Sequence, residues 1–157
     1  MQSFNLIALG YAVHTLGSII LVGSLLFVEI AYLPPVADVR NSNTRMKLRL
    51  EVLGLALRWA WLGVLLIYSS GLWGISGTNL STLPPYVAWM TGLSVPLLLL
   101  LLVGQLVLLP EARHALGVKQ IKAAHRWYLW LRALMLAALV LALGTLLLGA
   151  SGAAFLT

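Results

Sequence analysis

Apolar residues run through this chain in four long blocks, separated by segments that collect the helix breakers and most of the charge. The first block extends from Asn5 to Leu33 and meets Pro34-Pro35, and the second extends from Glu51 to Ser76 and meets Gly77-Thr78-Asn79. The third begins at Pro85, where a proline suits the first helical position, and stops at Leu109 before Pro110. The fourth runs from Trp127 to Ala150. Each block exceeds the roughly 20 helical residues that cross a hydrocarbon core about 30 Å thick. The pattern predicts an all-α fold: a transmembrane four-helix up-down bundle, formed by residues 1–157 as a single integral membrane domain with spans at 5–33, 51–76, 85–109 and 127–150.

Composition agrees. Of 157 residues, 61% are hydrophobic and only 9% are charged, where a soluble domain carries about a quarter. Cysteine is absent, which removes disulfides, thiolate metal sites and cysteine nucleophiles. The N-terminal MQSFN lacks the Lys or Arg of a signal peptide, so the first block is expected to stay as a helix.

The net charge of +6 has a definite distribution. Arg40, Arg45, Lys47 and Arg49 lie between the first two blocks, and Arg113, Lys119, Lys122 and Arg126 lie between the last two. The segment GTNLSTLPP and both ends of the chain hold no Lys or Arg. Basic segments stay in the cytoplasm, so both termini are expected outside. Trp73, Tyr86 and Trp89 then mark an outer aromatic belt, and Trp127 and Tyr128 an inner one. The expected partner of this charge is the lipid bilayer rather than nucleic acid.

Polar residues within the blocks narrow the candidate chemistry. His14 lies about nine residues into the first span, roughly 14 Å deep at 1.5 Å per residue. It shares a helical face with Gly10, Gly17 and Ser24, and Gly63, Ser70 and Gly74 recur in the second span. Small residues let membrane helices approach closely, so His14 is expected to face inward, either as an interhelical hydrogen-bonding group or as a metal or haem ligand. Met90 falls at a similar depth in the third span and is the second donor of a candidate metal pair. Glu29, Arg58 and Arg132 lie one to two turns from the cytoplasmic boundary. A charge there is costly alone, so Glu29 is expected to pair with Arg58 or Arg132, or the arginines to bind an anion such as a lipid phosphate or haem propionate. Gln105 is expected to hydrogen-bond between helices. There is no Gly-rich phosphate loop, no paired carboxylates and no G-x-S-x-G, and no catalytic residue is assigned.

With the spans placed, the stretches "HTLGSIILVGSLLF" followed by "LPPV", "LRWAWLGVLLIYSSGLWGI", "YVAWMTGLSVPLLLLLLVGQLVLLP" and "LRALMLAALVLALG" resemble the CopD-like integral membrane proteins, which are associated with copper resistance and uptake. They distantly resemble the HemJ-type protoporphyrinogen oxidases. The lysine of the HemJ third span is absent, the nearest positions being Met90 and Thr91, so the resemblance implies a copper role in the bacterial inner membrane rather than an oxidase. Three readings stay open. The first is copper handling, through imidazole and thioether donors. The second is a b-type haem or electron-transfer subunit. The third is a structural subunit without cofactor, assembled with other membrane subunits or with copies of itself.

Overall fold

The computed structural model describes residues 2–76 and 84–154. The GTNLSTL segment from Gly77 to Leu83 lies outside the described residues, and so does the end of the chain from Phe155. Helix α1 (Gln2–Phe27) passes through a π-helical turn (Val28–Tyr32) into α2 (Leu33–Ala37). Then come α3 (Ser42–Ile75) and α4 (Pro85–Val103), which passes through a second π-helical turn (Gly104–Leu108) into α5 (Leu109–Gly117). The last is α6 (Ile121–Ala154). The result is a helical bundle with four helical rods long and apolar enough to cross a membrane.

The rods are longer than the apolar blocks. The first continues through Pro34-Pro35 to Ala37, and the third through Pro110 to Gly117. Proline normally breaks a helix because it lacks an N–H and its ring strikes the carbonyl four residues back. Here each proline follows a π-helical turn, in which Leu33 N–H reaches Val28 and Leu109 N–H reaches Gly104, five residues back. The wider turn relieves the crowding that an α-helical register would impose. The segments read as basic loops are also largely helical. Asn41 caps α3, its Oδ1 accepting from the N–H groups of Asn43 (3.0 Å) and Thr44 (3.2 Å). Lys and Arg are good helix formers, so α3 reaches back to Ser42 and α6 to Ile121.

Helix α1 lies along α3, α3 along the α4–α5 rod, and that rod along α6, which closes back onto α1. The α1–α3 seam is tight at two glycines. A Cβ on Gly63 would sit 2.7 Å from the Gly17 carbonyl oxygen, and one on Gly17 would sit 2.8 Å from the Gly63 oxygen. The centre of the bundle is filled by Leu25, Leu53, Leu57, Leu101 and Leu131, each no more than 1% exposed. Such packing joins helices by dispersion and close contact. Charge is confined to one half of the bundle. All 10 Lys and Arg and all 4 Asp and Glu fall within residues 29–58 and 111–132, and the structure brings these two segments together.

Candidate functional site

The first π-helical turn carries Glu29, and α6 carries Arg132. Glu29 Oε2 accepts from Arg132 Nη2 at 2.8 Å and from Arg132 Nε at 3.0 Å, and Oε1 lies 3.3 Å from Nε. The Tyr128 hydroxyl, one turn earlier on α6, lies beside the same guanidinium. Fork-to-carboxylate geometry makes this a charge-assisted pair rather than a loose surface contact. The Glu29 side chain is 12% exposed and that of Arg132 43%. Arg58 takes no part. The buried face of α3 is set by Leu53, Leu57, Ala60 and Val64, and the residue after Leu57 points about 100° away from it. Arg58 is exposed and, among the described residues, forms neither an ion pair nor a stack on a tryptophan. Sequence spacing gives depth, and depth alone could not choose between the two arginines.

His14 is half-buried on α1, and its Nδ1 lies 3.1 Å from the Ser70 hydroxyl on α3. Ser70 Oγ in turn donates to the Leu66 carbonyl at 2.6 Å, with the Ile67 carbonyl at 3.0 Å. A hydroxyl has one hydrogen, so Ser70 accepts from His14 and Nδ1 carries the ring proton. The imidazole Cε1 lies against Gly71, 4.0 Å from where a Cβ would stand. Small residues on α3 therefore make room for the ring, and the serine fixes its tautomer. The Ser70 hydroxyl and the Ile67 carbonyl, both on α3, are the ring's hydrogen-bonding neighbours among the described residues.

Met90 is on a different seam. Its Cε and Sδ lie 3.0 Å and 3.4 Å from where a Cβ on Gly149 would stand, so the thioether packs against α6. Helix α1 packs on α3 and α4 packs on α6, and α1 and α4 share no such seam. The structure thus brings together Glu29 with Arg132 and His14 with Ser70, but not His14 with Met90. Among the described residues no group of three His, Asp or Glu side chains is placed to hold a metal ion.

Three features escaped the sequence reading. Tyr128 is 3% exposed and sits in the core under Arg49, whose Cζ is 5.2 Å from the ring centroid, rather than in an aromatic belt. Gln105 lies in the second π-helical turn with Oε1 buried and unpaired among the described residues, where an interhelical bond was expected. Third, a cleft of about 350 Å³ opens between the first turns of α3 and α6, lined by Arg45, Arg49, Lys122 and His125. The signal for the cleft was present: Arg45 and Arg49 are four apart, and Lys122 and His125 three apart, each pair on one helical face. It was hidden by reading these segments as loops. No protein-family model, curated protein or solved structure matches the chain.

Proposed function

We propose that this chain is an integral membrane protein serving as a cofactor-free structural subunit of a larger membrane assembly, with its basic end in the cytoplasm and its termini outside. The observation that carries the reading is the use of His14. Its ring meets the Ser70 hydroxyl and the Ile67 carbonyl across the α1–α3 seam, in a bundle whose centre is occupied by leucines. That is the pattern of polar residues that join membrane helices. The α3 rod of 34 residues is about 51 Å long, some 20 Å more than a hydrocarbon core. The surplus includes the charged end, which favours a body anchored in lipid with its basic end among the cytoplasmic headgroups.

A second reading is favoured by one specific feature. Nδ1 holds the proton, so Nε2 keeps its lone pair, and a ligating histidine commonly donates its other ring nitrogen to a fixed acceptor. In that reading His14 supplies one ligand to copper or a haem iron, as the CopD-like resemblance implies, and Met90 does not supply the second. Purification from native membranes, followed by metal analysis and an absorption spectrum, separates the two. The structural reading expects neither stoichiometric copper nor a Soret band. Either one, lost in His14→Ala, establishes the ligand reading instead.

A further inference from the structure

We propose that the cleft between the first turns of α3 and α6 binds the phosphate of an anionic lipid headgroup. Arg45, Arg49, Lys122 and His125 line it, and Met46 and Ile121 supply apolar wall. No carboxylate does so. Of the four acidic residues, Glu29 is paired with Arg132 and Glu51 lies 3.9 Å from Lys47, while Asp38 and Glu111 are not part of the wall. Three permanent cations therefore share a concave site with no protein counter-charge, an arrangement that repels itself until an anion enters.

Arg49 adds an independent observation. Its guanidinium is held over the Tyr128 ring, and its Nε is buried with no hydrogen-bond acceptor among the described residues. Buried donors are nearly always paired, and a guanidinium is the side chain best matched to phosphate oxygens. Arg45 is also fixed, since its Nη1 donates to the Ala37 and Val39 carbonyls at 3.3 Å and 3.4 Å. The N-terminal end of the long α6 lies at the same cleft and adds partial positive charge.

The apolar wall decides the class of ligand. A free phosphate has no use for Met46 and Ile121, whereas a lipid places apolar carbon beside its phosphate. The charged end of a membrane bundle is also where headgroups lie. The inference rests on the membrane reading but not on the role of His14, so a copper or haem centre at His14 would leave it intact.

The test uses the full chain in neutral detergent, titrated with short-chain phosphatidylglycerol, phosphatidylcholine and inorganic phosphate. Binding is followed by native mass spectrometry. Phosphatidylglycerol is expected to bind saturably, at least about tenfold more tightly than phosphatidylcholine, each 1.4 kcal/mol being a factor of ten. Arg49→Gln with Lys122→Gln should abolish that preference. Lys47→Gln with Arg126→Gln removes the same charge outside the cleft and should keep it. Circular dichroism checks folding, and Lys122→Gln alone, at an exposed position, replaces the first pair if it fails to fold. Equal losses in both double variants would show diffuse attraction and overturn the site. Displacement of the lipid by inorganic phosphate at equal concentration would overturn the lipid assignment.

Discussion

Replacing Gly63 with alanine adds one methyl group at the tightest point of the α1–α3 seam. That methyl carbon would stand 2.7 Å from both the Gly17 carbonyl oxygen and the Leu21 amide nitrogen, and 2.9 Å from Leu21 Cβ. Two of these are backbone atoms, so no rotamer change relieves them. Ordinary carbon contacts begin near 3.5 Å, so the two helices must separate by roughly 0.6–0.8 Å. Overpacking of this kind costs about 1–3 kcal/mol. The shift also stretches the 3.1 Å His14–Ser70 bond beyond hydrogen-bonding range, a loss of about 0.6 kcal/mol by the average for membrane proteins. Alanine's better helix propensity returns at most about 1 kcal/mol. The net expectation is a destabilisation of about 0.6–2.6 kcal/mol. Gly10→Ala and Gly23→Ala are the controls, because a Cβ at either position meets nothing within 4 Å among the described residues. They should be neutral or stabilising. The assay is reversible unfolding in mixed micelles with increasing dodecyl sulfate, followed by tryptophan fluorescence. If Gly63→Ala is no more destabilising than Gly23→Ala, the close seam is wrong.

Other consequences are equally open to measurement. Glu29→Gln leaves Arg132 without its carboxylate, and because Arg132 is 43% exposed the expected loss is about 1–2 kcal/mol, below the range for a fully buried pair; unchanged stability would show the arginine satisfied elsewhere. Lys119, two residues beyond the end of α5, has φ 60°, in a motif where Gln120 N–H reaches the Ala115 carbonyl and Lys119 N–H reaches that of Leu116. Glycine suits that left-handed position, so Lys119→Gly should raise stability by about 0.5–1 kcal/mol, and a loss would refute the strain. The chain has no cysteine, so Ser42→Cys and Ser76→Cys give clean single labels in intact cells. An impermeant reagent should modify position 76 and spare position 42, and the reverse would invert the orientation.

The helical bundle was legible because four apolar blocks admit few other structures, whereas the ends of the rods were not. Pro34, Pro35 and Pro110 read as stops under a rule that assumes an α-helical register, and the π-helical turns before them suspend it. The small-residue seam was half legible. Gly17 and Gly63 do form the contact, but Gly10 and Gly74 meet nothing among the described residues, because spacing identifies a face and not where the neighbouring helix crosses it. Depth along the axis aligned His14 with Met90 and Glu29 with two arginines. Rotation about the axis decided which of them meet, and one chain's spacing does not carry the rotation of one helix against another.

The central claim is that His14 joins two helices rather than ligating a cofactor. A double-mutant cycle of His14→Ala and Ser70→Ala measures this, with unfolding stability determined once in the presence of a metal chelator and once with excess copper(I). The account predicts a favourable coupling of about 0.6 kcal/mol, and no more than about 1.7 kcal/mol, equal under both conditions. Zero coupling with chelator, or a coupling that appears only when copper(I) is present, would contradict it.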